Sequence, residues 1–569
     1  MCGIVGCTNN DVAYVRRNLQ KIKHRGPDAD DVWHDDHVTL GHCLLAITDN
    51  AKSGLQPYTT PIGNRLVYNG EIFNYDFLKT KFDMKLKTTC DTEMLAWGLD
   101  AFNYEFVDHL DSMHGFVYYD VREQRLYLSR DHAGIKPLYY TEHNGVLYFA
   151  SEIRALREAQ PLSNQLDDWA ISSWSHLGIN FTNHTFHKGI HSVPPGATMM
   201  YDLRTRKMHT LTRYYPVCTS ELNFNAEEFR SYLRESCRMV SRGERKLGMF
   251  LSGGLDSSSI AVEMTKSVPE IEAYTNCIAP MPPNSKEDFN SDHRCAVELA
   301  DRLDIAHHTV TCTPHTWLQY LKPSIEALEQ PVYNTSLPMY LQTNHAMAQN
   351  GVIVTIAGDM GDELLTGYPK YHKVLKHFGD RTPTWREVVS QWSMRLAQPP
   401  RIQVPHTQQE VVDYLIETQF PEGLYNTEDV LGSHQVLDVI GLCNSDYFPR
   451  NDRYGAWYGM EGRFPMATRH FMEYCLQIHS RHKIGKYKAD QKILLKTAYV
   501  RYLPQSIINK PKTGWTAPYP QWSRMQSEAT LLREHLPAKA RAYQGQKREA
   551  VMRQFYDWLE LCEIDFPRF

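Results

Sequence analysis

An apolar segment at residues 247–251, ending in Leu251, runs into Ser252-Gly253-Gly254-Leu255-Asp256-Ser257-Ser258 and then into a helical pattern through Ile260, Ala261 and Met264. A strand that turns on two glycines into a helix presents a nest of backbone N–H groups at the helix N-terminus, where a pyrophosphate binds. Ser252, Ser257 and Ser258 add hydroxyl donors, and Asp256 offers a carboxylate to a magnesium ion bridging phosphates. No Gly-Lys-Ser/Thr follows, so this is not a Walker A loop. A Gly-Gly turn capped by Ser and Asp could serve any strand-to-helix junction. The whole string in this setting is far more specific, and it reads as nucleotide binding. Such a unit belongs to a parallel α/β sheet. From about residue 225 the sequence alternates long helical periods with apolar strand candidates at 247–251, 273–278 and 352–357. Past 380 it is mostly helical, and residues 383–405, rich in Pro and Gln, read as a surface excursion.

The first 155 residues have a different texture. Short strand candidates, such as Arg65-Leu66-Val67-Tyr68 before Asn69-Gly70, alternate with turns, and one helical pattern covers residues 92–102. A short helix is expected at 167–175, with strands around Pro194-Pro195-Gly196. Cys2 follows the initiator methionine. If Met1 is removed, the freed α-amine can serve as base to its own thiol, so one residue supplies nucleophile and proton acceptor. A chain of 569 residues exceeds one ordinary core, and two domains are expected. A net charge of -5 gives no general attraction to nucleic acid or anionic lipid. Twelve cysteines in so long a chain are no disulfide framework and form no zinc pattern. Charged residues fill the first 25 positions and no 18-residue apolar run exists, so neither a signal core nor a membrane span is expected. The expected setting is the cytoplasm.

Several motifs carry a resemblance to a known family. The Ser-Gly-Gly-x-Asp-Ser-Ser string is the pyrophosphate loop of the N-type ATP pyrophosphatases. Ala357-Gly358-Asp359-Met360-Gly361-Asp362-Glu363, Gly459-Met460-Glu461-Gly462-Arg463-Phe464-Pro465 and Leu503-Pro504 through Lys510-Pro511-Lys512-Thr513-Gly514-Trp515 resemble asparagine synthetases. Cys2-Gly3-Ile4-Val5-Gly6, His24-Arg25-Gly26-Pro27-Asp28, Asn69-Gly70-Glu71 and Cys90-Asp91-Thr92-Glu93 resemble, in order, a class II glutamine amidotransferase domain. The chain is thus similar over nearly its whole length to the glutamine-hydrolysing asparagine synthetases. The resemblance implies an N-terminal nucleophile hydrolase α/β/β/α sandwich at 1–215. An α/β parallel-sheet ATP-pyrophosphatase domain, of the adenine nucleotide α-hydrolase-like fold, would follow at 216–569.

It also implies roles. Cys2 is the nucleophile, with Asn69 and Gly70 stabilising its oxyanion. Leu44, Ile47, Asn69, Gly70, Glu71 and Asp91 line the glutamine site, Asp91 pairing with the α-ammonium group. Leu251, Ser252, Gly253, Gly254, Asp256, Ser257, Ser258, Asn276, Ala357 and Gly358 bind ATP, and Asp256 with Asp362 holds Mg2+. Glu461 and Lys512 serve the adenylated acceptor. The expected partners are ATP, glutamine or an analogue, and a carboxylic acid, with a homodimer left open. Asn69-Gly70 also fits a type I′ hairpin turn, and both readings stand together.

Four departures bear on substrates. Leu44 stands where the family has an arginine for the glutamine α-carboxylate. Cys90 replaces a small hydroxyl residue, His132 an arginine, and Met466-Ala467-Thr468 the common Phe-Leu-Asp near the acceptor. The reading is a carbon–nitrogen ligase that adenylates a carboxylate and amidates it with glutamine nitrogen. Its rivals are a synthetase of specialised metabolism, acting on another acid or with a γ-substituted glutamine, and a pseudoenzyme or regulatory module.

Overall fold

The computed structural model describes residues 1–48, 53–281, 288–331, 334–379, 381–393, 402–485, 487, 490–511, 517–522, 525, 532 and 549–564. Alternating apolar and polar residues in the N-terminal third form β1 (Gly3–Cys7), β2 (Ala29–His34), β3 (Thr39–Leu44), β4 (Tyr58–Thr59), β5 (Arg65–Ile72), β6 (Ser112–Asp120), β7 (Arg125–Arg130), β8 (Tyr139–His143), β9 (Val146–Ala150), β10 (His191–Ser192), β11 (Ala197–Asp202) and β12 (Lys207–Arg213). They pair into two antiparallel sheets, ordered β10-β8-β9-β1-β3-β2 and β12-β11-β7-β6-β5-β4.

The period of two sorts each strand between layers. On β1, Ile4 enters the core between the sheets, while Val5 and Cys7 face the layer of α1 (Val12–Lys21). On β5, Val67 joins the inner core, while Leu66 and Tyr68 pack in the layer of α2 (Tyr75–Lys81) and α3 (Asp91–Phe102). Helices therefore cover both outer faces, giving the expected α/β/β/α sandwich. The helix expected at 167–175 is α4 (Asp168–Leu177), N-capped by Asp167.

One local reading is overturned. Asn69-Gly70 makes no hairpin turn: β5 continues through it, pairing Asn69 with Gly115 and Gly70 with His114 of β6. Eight consecutive pairs with β6 outweigh the local preference of Asn-Gly for positive φ.

After α5 (Ala226–Val240) come β13 (Leu247–Phe250), α6 (Leu255–Ser267), β14 (Glu272–Ile278), α7 (Ser291–Leu303), β15 (His307–Cys312), β16 (Val354–Ile356) and β17 (Glu461–Arg463). These strands form a parallel sheet ordered β15-β14-β13-β16-β17. Strand order reverses direction at β13, which lies between β14 and β16. The crevice at the carboxyl ends of β13 and β16 is thus a topological switch point, where α/β sheets bind ligands. Both nucleotide motifs leave from those two ends.

The expected excursion at 383–405 is partly corrected. Trp385–Ser393 is a helix whose Trp385 and Trp392 join the main core, their indole N–H groups donating to Phe420 O and Asp438 Oδ1, each at 2.8 Å. Two buried indoles stabilise the segment more than its polar neighbours expose it. Residues 394–401 lie outside the described ones. All twelve cysteines are free thiols, and no described helix is long and apolar enough to cross a membrane.

Candidate active site

Cys2 sits at the start of β1, half-buried. Its backbone N–H donates to Asn69 Oδ1 at 3.0 Å, its carbonyl accepts from Arg25 Nε at 3.0 Å, and its Sγ lies 4.0 Å from Leu45 O. With Asn69 Oδ1 turned to Cys2 N, the amide Nδ2 is left as a fully buried donor with no hydrogen-bond partner among the described residues. An unspent buried donor costs about 1–3 kcal/mol. Beside a nucleophile, that cost is recovered when an oxyanion forms. Burial pushes the Cys2 thiol pKa up, so the thiolate requires an adjacent base.

Asp91 opens α3 and is buried; its Oδ2 accepts from Tyr68 OH at 2.9 Å and Ile72 N at 3.3 Å. Burial raises its pKa, with Arg242 the leading group pulling the other way. Leu44, the last residue of β3, and Ile47, in the turn beyond it, are both buried.

From Cys2 a buried chain of alternating charge crosses between the two halves. Arg25 pairs with Glu152 at 3.0 Å and Asp452 at 2.9 Å; Lys136 lies 3.5 Å from both Asp452 and Glu461. Arg463 then pairs with Glu461 at 2.9 Å and Glu71 at 3.0 Å, and Arg242 with Glu71 at 2.9 Å. Each buried charge has partners of opposite sign, the condition for burying it at all. Burial alone would raise the Glu461 carboxyl, but Lys136 and Arg463 outweigh it and hold its pKa down at about 2. The Met1 amine also lies 3.9 Å from Glu461.

At the switch point Gly253 has φ +71°, and a Cβ there would sit 2.1 Å from Asp292 O, so only glycine fits. Ser257 Oγ accepts from Ser252 N at 3.1 Å and lies 2.9 Å from Ser252 Oγ, holding the loop closed on itself. Ser252 is exposed at its mouth, whereas Ser258 is buried under the helix, its Oγ without a hydrogen-bond partner among the described residues. The α6 period turns Ser258 toward the core. Asn276 is occupied: its Oδ1 accepts from Thr343 Oγ1 at 3.0 Å. Leu251 and Ala357 form buried floor.

Gly358 and Gly361 bring the second motif onto the first, because Cβ atoms there would meet Asp256 at 3.2 and 2.6 Å. Asp256 and Asp362 are joined by one ammonium, that of buried Lys492, which is 2.6 Å from Asp362 Oδ1 and also contacts Asp256. The two carboxylates thus share a single cation position. Among the described residues no group of three or more His, Cys, Asp or Glu is placed to hold a metal. A magnesium ion here would take two carboxylates and complete its shell with phosphates and water, which suits this ion.

Thr468, expected near the acceptor, is instead buried and occupied: it caps the helix Arg469–Gln477 through Phe471 N and lies 2.8 Å from Ser236 Oγ. His132 Nε2 lies 2.9 Å from Ala467 O. Lys512, with Thr513 to Trp515, lies outside the described residues. Sequence reasoning missed Arg242, Lys492, Lys136 and Arg463 as site residues. Arg463 lay inside the motif from Gly459 to Pro465 and could have been singled out; Arg242 and Lys492 carried no local signal.

Residues 1–215 match the model of a glutamine amidotransferase domain, and residues 228–561, more than half of the chain, match that of asparagine synthase. The chain belongs to the asparagine synthase family. Among its relatives is asparagine synthetase [glutamine-hydrolyzing] 3 of Bacillus subtilis, 24% identical over 92% of this chain and 87% of that one. Asparagine synthetase [glutamine-hydrolyzing] 1 of the same organism is 29% identical over 66% of this chain and 60% of that protein. Amidase chry2 of Gibberella zeae is 28% identical over 63% of this chain and 56% of that one. As an asparagine synthase-family ligase with an amidotransferase domain, the chain joins an antiparallel sandwich to an ATP-using parallel sheet.

Proposed function

We propose that this ligase adenylates a carboxylic acid at the switch point and amidates it with nitrogen released from glutamine at Cys2. Labour divides at about residue 215. The observation that carries this reading is the position of β17: Glu461 and Arg463 reach Lys136 and Glu71 of the amidotransferase half, while β17 itself pairs with β16, which leads to Gly358 beside Asp256. One short strand therefore forms a wall shared by both chemistries, and a buried wall protects ammonia from protonation in bulk water.

In the amidotransferase half, removal of Met1 frees the Cys2 amine, which takes the thiol proton as Cys2 attacks the donor amide. Asn69 Nδ2 and the Gly70 N–H receive the oxyanion, and Asp91 receives the α-ammonium group. In the synthetase half, the Gly253-Gly254 loop holds the phosphates. Asp256 and Asp362 would hold Mg2+, which neutralises charge on the departing pyrophosphate. Glu461 and Lys512 complete the acceptor side. Free thiols throughout support a reducing compartment such as the cytoplasm, and nothing in the charge favours a nucleic-acid partner.

A second reading concerns the acceptor. Met466 places its thioether 2.7 Å from where a Cβ on Gly361 would stand, beside the Asp256 carboxylate. That apolar wall favours an acid other than aspartate. Pyrophosphate release by the purified full chain, measured over a panel of carboxylic acids with glutamine or ammonia, decides both points. Aspartate as best acceptor removes the second reading; no acid-dependent release removes the first.

A further inference from the structure

Leu44 leaves the α-carboxylate of a donor amino acid without the cation that the family places at that position. A cation of the opposite half stands instead beside Glu71, on the donor side of Cys2. After α5 the chain crosses onto the turn that follows β3: Gly243, at φ +123°, would place a Cβ 3.1 Å from Ile47 Cγ2, and Glu244 N donates to Ile47 O at 3.4 Å. This close backbone approach delivers Arg242 beside the donor-site acids. Its guanidinium lies over the Tyr75 ring at 3.9 Å, donates from Nη1 to Glu71 Oε1 at 2.9 Å and from Nη2 to Thr89 O at 2.7 Å. Thr89 stands two residues before Asp91, and Arg242 is the leading charge felt by the Asp91 carboxylate.

Glu71 is already held on its other oxygen by Arg463, so one carboxylate faces two guanidiniums. An α-amino acid end carries both signs; Asp91 answers the ammonium group, and Arg242, which stands beside both Glu71 and Asp91, answers the carboxylate. Arg242 is a fifth exposed along its side chain, and its hydrogen bonds to Glu71 and Thr89 use two of the five N–H directions of a guanidinium. Stacking on Tyr75 fixes its plane in advance, which limits the entropy lost on binding.

We infer that Arg242 is the residue that binds the α-carboxylate of the amide donor, taking over from the position now held by Leu44. This rests on the donor reading of the Cys2 site. The donor pocket is then completed only when the two halves are docked, since its anion is recognised by a residue of the second half.

The test uses the purified full chain and two amides, L-glutamine and 4-aminobutanamide, which keeps the amine and amide but lacks the α-carboxylate. Ammonia release is followed for the parent, Arg242→Ala, Arg242→Lys, and Arg242→Ala combined with Leu44→Arg. Loss of a charge-assisted pair should raise the glutamine KM of Arg242→Ala by about ten- to a hundred-fold, leave the KM for 4-aminobutanamide unchanged, and yield to Leu44→Arg. Arg242→Lys, which keeps charge without the fork, should fall between parent and alanine and covers the case in which alanine fails to fold. Equal increases for both amides in Arg242→Ala and Arg242→Lys would make Arg242 merely structural and overturn the inference, as would an unchanged glutamine KM. A parent that releases ammonia from neither amide removes the donor reading itself.

Discussion

The Asn69 side chain makes one bond that matters and leaves another unmade. Its Oδ1 orients Cys2, and its Nδ2 is held ready in a buried site where water cannot reorganise around it. Asn69→Ala removes that donor, and kcat for donor hydrolysis should fall about 10²- to 10³-fold, with KM changed much less; stopped assays of glutamate formation check this. Glu461 gives a pH signature. Its folded pKa of about 2 lies below the ordinary 4.5, so its contribution to stability is complete above pH 4.5 and is lost as pH falls toward 2. The stability gap between the parent and Glu461→Gln, measured by denaturant unfolding at a series of pH values, should therefore be constant above pH 5 and narrow below it. A gap that widens on acidification would mean the carboxyl is not held ionised by Lys136 and Arg463.

Among the elements, the helix Arg469–Gln477 shows how Thr468, one of the departures noted near the acceptor, serves the packing of two helices. Thr468 spends its hydroxyl on the first turn of that helix and on Ser236 of α5, tying the two helices at a buried point. Thr468→Ala removes a cap and strands the Ser236 hydroxyl. It should cost about 2 kcal/mol and lower Tm by several degrees, whereas Thr468→Ser, which keeps the oxygen, should retain most of the stability. Differential scanning fluorimetry of both variants checks the pair. The same logic explains β5. The Asn-Gly pair favours a turn, but its residues are bonded in register to β6, and the sheet keeps Asn69 pointing at Cys2.

Across the whole molecule, the two chemistries share β17 and the buried charge chain but depend on different nucleophiles and acids. Cys2→Ala should abolish ammonia release from glutamine while ammonia-supported amide formation persists, because no group at the switch point is altered. Asp256→Asn should do the reverse, abolishing Mg2+-dependent pyrophosphate release while Cys2 still cleaves glutamine. Parallel assays of the two variants test this, and loss of both activities in either one would show that the halves do not act separately.

What the sequence determined by itself was local. The glycine-rich loop after an apolar strand, the alternation of β1 and β5, the helices at 92–102 and 167–175, and a cysteine behind Met1 are set by neighbours within a few residues. Their chemistry and period are visible in one dimension. Short-range patterns also misled at Asn69-Gly70 and the Trp385–Ser393 helix, where sheet pairing or core burial outweighed local preference. Only the tertiary structure could bring Arg463 to Glu71, Lys136 to Glu461, Lys492 between Asp256 and Asp362, and Arg242 to Glu71. Those pairs join residues more than a hundred positions apart. Charges attract through space, and no spacing along the chain records which of many basic residues the packing of two halves will bury beside a given acid.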